Sequence, residues 1–139
     1  MKAGRYFNLE EYSRSETANR LNIDNTPSAY QIGKFMVLVA TVLDNCREAL
    51  GKPISISSGY RCEELNRKVG GVSNSQHLAN EDDIAVDLVS DNLSELYYYI
   101  VNNCEYDQCI MESKGNSKWI HLSLCIVKEN RKEYFSINK

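Results

Sequence analysis

Only two histidines occur among the 139 residues, His77 and His121. His77 lies in Ser73 to Asp83, a stretch without hydrophobic periodicity, and His121 lies within the apolar run Trp119-Ile-His-Leu-Ser-Leu. Asp87 is the third residue that asks for chemistry. Ile84-Ala-Val-Asp-Leu-Val reads as a strand with Ala85, Asp87 and Val89 on one face, which puts an ionisable group on an otherwise apolar surface. Two neutral imidazoles and a carboxylate form a three-ligand set of the kind catalytic zinc uses, with a fourth position open to water. Spacing alone leaves the plainer reading open, that these are satisfied core or surface groups. For the three to converge, the strand of His121 must pair beside the strand of Asp87. The same donors would accept other divalent ions too.

The elements that must position these residues follow from the pattern along the chain. Tyr6 to Asn25 reads as a short helix with its flanks, Asn8 and Glu11 forming a capping box, and Asn22 to Pro27 breaks it. From Ser28 to Leu50, Phe35, Met36, Leu38, Val39, Val42, Leu43, Cys46 and Leu50 keep a helical period until Gly51 and Pro53 stop it. Pro53 to Ser57 alternates as a strand, Ser58-Gly59-Tyr60 turns the chain into a helical piece over Glu63 to Lys68, and Gly70-Gly71 ends that piece. After the strand of Asp87, Asp91 or Asn92 caps a helix that runs to about Asn103. Its Tyr97-Tyr98-Tyr99 is expected to bury one or two rings and expose another. Gln108 to Glu112 and Trp119 to Val127 make a hairpin across the polar turn Ser113 to Ser117, with Tyr134 to Ile137 as a short edge strand. The expected fold is α+β, helices packed on a small, mainly antiparallel sheet, in one domain spanning residues 1–139.

Composition narrows the function classes. A hydrophobic content of 42% suffices for one core, and 19 acidic against 16 basic residues give a net charge of −3, without the basic excess of a nucleic-acid binder. No apolar run is long enough to cross a membrane, and Met1 to Glu11 lacks the apolar stretch of a signal peptide, so synthesis in the cytoplasm is expected. Cys46, Cys62, Cys104, Cys109 and Cys125 are odd in number with no CxxC pair, which points to reduced, mostly buried thiols rather than a disulfide framework. Cys62, though next to Arg61, has no histidine signature near it and is not read as a nucleophile. Nothing in the residues specifies an oligomeric state.

The run Ile54-Ser-Ile-Ser-Ser-Gly-Tyr-Arg-Cys-Glu-Glu-Leu-Asn-Arg-Lys-Val-Gly-Gly-Val-Ser-Asn-Ser-Gln-His77, followed by Ala85-Val-Asp87 and Trp119-Ile-His121, resembles the D-alanyl-D-alanine carboxypeptidase-like zinc peptidases of bacterial cell walls, which include phage endolysins. Tyr6-Phe-Asn-Leu-Glu-Glu, Ile23-Asp-Asn-Thr-Pro and Arg47-Glu-Ala-Leu-Gly-Lys-Pro are similar to the small phage and prophage branch, so the resemblance covers nearly the whole chain. It implies a hedgehog/DD-peptidase-like fold, Zn²⁺ held by His77, Asp87 and His121, and peptidoglycan stem peptides as substrate. It also implies a catalytic, substrate-facing Arg61, with Ser75 and Gln76 lining the cleft. Action on the wall would then follow phage-mediated release or carriage in a virion.

Two departures stand out. In the family spacing His-x-x-Gly-x-Ala-x-Asp the histidine and aspartate stand seven apart, whereas His77 and Asp87 are ten apart, with extra residues in Ala79 to Asp83 and Asp83 in the glycine's place. Such an insertion costs little closure entropy. Many relatives also carry a glutamate three residues before the last histidine, and Lys118 stands there. Glu112, near the end of the preceding strand, is the expected substitute as general base, with Asp107 the weaker candidate. The altered loop and the missing glutamate keep a second reading open, a non-catalytic, metal-retaining murein-binding or virion structural module. A third is a dipeptidase on free D-Ala-D-Ala, which a closed pocket rather than an open groove would favour.

Overall fold

The computed structural model describes residues 1–139. Two short helices open it, α1 (Leu9–Ser13) and α2 (Glu16–Leu21). The single opening helix expected from sequence is thus divided, because Ser15 adopts an extended backbone and its Oγ accepts from Ala18 N, starting a new helix. Helix α3 (Ala29–Leu38) continues through a π-helical turn at Val39–Leu43 into α4 (Asp44–Leu50), and Gly51 at φ 64° ends the run. The π turn lies where the N-terminal segment docks: Asp44 is buried and accepts from Arg5 N at 2.9 Å, and a Cβ on Gly4 would fall 2.4 Å from Val39 Cγ1.

Strand β1 (Ile54–Ser58), helix α5 (Glu63–Lys68), strand β2 (Asp83–Ser90), helix α6 (Leu93–Asn103) and strands β3 (Gln108–Lys114), β4 (Ser117–Cys125) and β5 (Glu133–Asn138) follow. The sheet order is β1-β2-β4-β3-β5, antiparallel except for the edge pair β3–β5, which is parallel. The α+β reading holds, and the edge strand exists. The β3–β4 turn is tighter than expected, two residues opening on Gly115 at φ 60°, as mirror-type hairpin turns require.

Alternation gives the sheet two unlike faces. Ile84, Val86 and Leu88 of β2, Ile120, Leu122 and Leu124 of β4, and Cys109 of β3 enter one core with Phe35, Leu38 and Val42 of the long helix and Leu96 and Ile100 of α6. The opposite positions, Asp87 on β2, His121 on β4 and Ile110 and Glu112 on β3, face away from the helices. Tyr97 is buried, Tyr98 is exposed and the two rings meet edge to face, while Tyr99 packs partly buried against the core. Of the five free thiols two, Cys46 and Cys109, are buried and three are half-buried, so burial is less general than the sequence suggests.

Candidate metal centre

The register decides convergence. Asp87 on β2 sits directly opposite His121 on β4, and His121 sits opposite Ile110 on β3, with no slip along either ladder. A one-residue slip would have turned one of the two to the helical core. His77 reaches them from a short 3₁₀ turn, Gln76–Leu78, where Ser75 Oγ accepts from His77 N. His77 Nε2 lies 3.3 Å and His121 Nδ1 3.4 Å from Asp87 Oδ1, and one donor atom from each residue falls within 4.8 Å of the other two.

Ser-Gly-Tyr-Arg and Ser-Gln-His, far apart in sequence, form one unit. His77 Nδ1 donates to the Gly59 carbonyl at 2.8 Å, and Arg61 N donates to the His77 carbonyl at 3.0 Å. Because a carbonyl only accepts, the proton is on Nδ1 and the Nε2 lone pair faces Asp87. An irregularity in β1 sets Ser58 rather than Ser57 opposite Asp87, which swings Gly59 to Arg61 over the site face. Gly59 is confined by Tyr12, whose carbonyl would lie 2.3 Å from an added Cβ and accepts from Tyr60 N at 2.7 Å. Asn25 ties the same segment to α1, donating to Ser13 and Tyr60 carbonyls and accepting from Cys62 N.

The donor set fits a small divalent cation. Asp87 Oδ1 is buried without a hydrogen-bond donor. Its separations from the two ring nitrogens are long for charge-assisted hydrogen bonds, which run about 2.7–2.9 Å. A tetrahedral ion with bonds of about 2.05 Å keeps its donor atoms about 3.35 Å apart. Burial alone would push the Asp87 carboxyl up; rings protonated at the facing nitrogens of His121 and His77 reverse this and hold it below the usual carboxylate range, and between neutral rings a cation would do the same. Side-chain exposures of 4% for His77, 13% for Asp87 and 14% for His121 leave a narrow way in from solvent.

The other expected residues fall at different distances from this centre. Arg61 is half-buried; burial lowers its guanidinium pKa while Asp87 and Glu112 charges oppose the shift, so both carboxylates are electrostatic neighbours. Its Nη1 donates to Asn66 Oδ1 at 3.1 Å, and buried Asn66 donates onward to the Val72 carbonyl. A Cβ on Gly71 would meet Asn66 Oδ1 at 2.0 Å and Arg61 Nη1 at 2.8 Å, so glycine is required beside this clamp. Glu112 is on the site face, buried, outside the three-residue cluster, and paired to Lys139 Nζ at 2.8 Å. Lys118 is on the opposite face, as an odd offset from His121 dictates. Gln76 Nε2 is committed to Asp107 Oδ2 at 2.9 Å, and Asp107 is further held by the Arg131 backbone and guanidinium. Burial would raise the Asp107 carboxyl, yet Arg131 and Gln76 bring it down to about 2, which suits an anchor rather than a base. Cys62 caps α5, its Sγ accepting from Leu65 N.

The extended interval between His77 and Asp87 is stitched to α3. Lys34 is buried and its ammonium donates to the Ala79, Glu81 and Asp83 carbonyls, Gln31 donates to Leu78 O and Asn80 Oδ1, and Tyr30 Oη donates to Glu81 O. Asp82 accepts from Val127 N and Lys128 N. Sequence reasoning passed over Lys34, although its place among Gln31, Phe35 and Leu38 on one helical face was a readable signal. Asn66 carried no such signal.

A family model described as Peptidase M15 matches residues 5–123. The chain belongs to the peptidase M15 family. Comparison with curated proteins finds no match. M15 members are zinc-dependent peptidases, so membership supports a hydrolase, and the His77–Asp87–His121 cluster is where this M15 chain could bind a metal ion. The matched span contains the cluster, Arg61 and Glu112, whereas Arg131, β5 and Lys139 lie beyond it. No helix is long and apolar enough to cross a membrane.

Proposed function

We propose that this chain is a zinc peptidase that hydrolyses bonds next to D-amino acids in bacterial peptidoglycan, as an endolysin-type endopeptidase or a carboxypeptidase. The observation that carries the reading is the three-residue cluster, with an orphaned carboxylate oxygen between two imidazoles, one of them oriented by the Gly59 carbonyl. Zinc, when bound by His77, Asp87 and His121, would supply Lewis acidity and acidify water at neutral pH. Glu112 is the residue for taking a proton from attacking water: it shares the site face with His121 and is a carboxylate neighbour of Arg61. Arg61, pinned by Asn66, offers its guanidinium to the developing oxyanion or to a stem-peptide carboxylate. A cleft of about 420 Å³ lined by Arg14, Ser57, Gly59, Tyr60, Arg61 and Val69 shares Gly59 and Arg61 with the segment that holds His77, and the peptide would run from it towards the centre. Ser75 supports the turn of His77 and Gln76 braces it through Asp107, so their part is to position that ligand. The chain would act on the wall after phage-mediated release or from a virion.

The test is digestion of purified murein sacculi with zinc-loaded protein, a chelated sample and the Glu112→Gln variant, with mass spectrometry of released peptides. Chelator-sensitive products that vanish in a variant still holding zinc are expected. The pairing of Glu112 with Lys139 favours one rival, a metal-retaining murein-binding or virion structural module. Stoichiometric zinc with no product on sacculi or on D-Ala-D-Ala would make that rival the better account.

A further inference from the structure

Cys46 in α4 and Cys104, which caps the C-terminus of α6, are 58 residues apart in sequence, yet their sulfurs lie 3.8 Å apart. Helices α4 and α6 pack together here on the helical side of the sheet, away from the metal centre. The two thiols differ in a way that orders them. Cys46 is fully buried, whereas Cys104 is half-buried and lines a surface cleft with Arg5, Thr41, Asn45, Tyr99 and Asn103. Either thiol can donate in this contact, and with Cys104 the more accessible to solvent, donation from Cys46 would favour a thiolate there. A disulfide has sulfurs about 2.05 Å apart, so each Sγ must move about 0.9 Å, within the reach of side-chain rotation.

We propose that Cys46 and Cys104 form a reversible redox pair, which a small disulfide of the glutathione class closes into a bond tying α4 to the end of α6. The Cys104 thiolate attacks one sulfur of the oxidant and expels the other as a thiolate, which takes a proton from water. Cys46 then loses its proton and attacks the Cys104 sulfur, displacing the second small thiol. Two protein thiols are oxidised and one small disulfide is reduced to two thiols. Cys104 is the entry point because oxidant reaches it from the cleft, and Cys46 resolves because nothing larger than its neighbour can reach it. The bond would clamp the helical layer while leaving the site face untouched.

The full chain is incubated with oxidised glutathione at neutral pH, quenched with acid, unfolded and alkylated, then mapped by mass spectrometry. Three alkylated sulfurs instead of the five free ones, a Cys46–Cys104 cross-linked peptide reversed by dithiothreitol, and a higher urea midpoint are expected. Cys46→Ala, with Cys46→Ser as a second variant should one fold poorly, should trap glutathione on Cys104. Cys109→Ser should still cross-link, and zinc affinity should be the same in oxidised and reduced protein. Five alkylated sulfurs after oxidation, a cross-link through buried Cys109, or bonds only between molecules would overturn the proposal, and none of these results depends on peptidase activity.

Discussion

Gly71 does for Arg61 what Gly59 does for His77: each leaves room for a polar side chain or carbonyl that must approach the backbone closely. An added methyl at Gly71 would enter the space of Asn66 Oδ1 and Arg61 Nη1. Gly71→Ala is therefore expected to cost about 1–3 kcal/mol in urea unfolding and to raise KM on murein peptides more than it lowers kcat, since Arg61 moves while the ligands stay. Asp107 gives a pH signature. Its folded pKa of about 2 lies below the ordinary 3.8, so its stabilising effect is complete above about pH 4 and fades as pH falls towards 2. Asp107→Asn should lose about 2 kcal/mol at pH 7 and flatten that acid limb, measured by urea midpoints across pH. At this scale His77, Asp87 and His121 were legible as candidates, because histidine is rare and Asp87 broke an apolar face, while their clustering depended on the strand register. The Asn66 clamp was not, because a buried asparagine reads from sequence like any helix-end polar residue.

The insertion after His77 is an element built from carbonyls, and α3 holds it. Lys34 satisfies three of them from a buried position. Lys34→Met keeps the volume but leaves those oxygens unpaired, so a loss of about 3 kcal/mol is expected in urea unfolding, with zinc affinity falling about tenfold or more as the turn carrying His77 loosens. Unchanged zinc affinity in Lys34→Met would mean that the contacts of Ser75, Gly59, Arg61, Gln31 and Asp107 hold that turn without Lys34. Strands β1 to β4 were legible from alternation, and α5 from its flanking Gly-Tyr and Gly-Gly signals. The division of the opening helix was not, since a serine in a helical run is a cap only when the backbone around it is already extended. The π turn likewise answers to the docked N-terminal segment, a tertiary contact that no local pattern encodes.

The whole molecule separates its tasks across the sheet, with a continuous helical core on one face and the cluster under the β1–α5 and His77 segments on the other. Zinc bound only by the folded chain should raise stability by about 2.7 kcal/mol at a free concentration a hundredfold above its Kd, and chelation should remove that gain. The matched family span ends before β5, so Lys139 reaches Glu112 from a part of the chain outside it. Lys139→Ala should thus change peptide hydrolysis without changing zinc content. The claim on which the rest depends is that His77, Asp87 and His121 together hold one ion, and calorimetric titration of zinc into the chelator-stripped protein tests it most directly. One zinc per chain is expected in the wild type and in a variant with all five cysteines replaced by serine, with binding lost in Asp87→Ala. Stoichiometric binding that survives Asp87→Ala, or that disappears with the cysteines, would contradict the account.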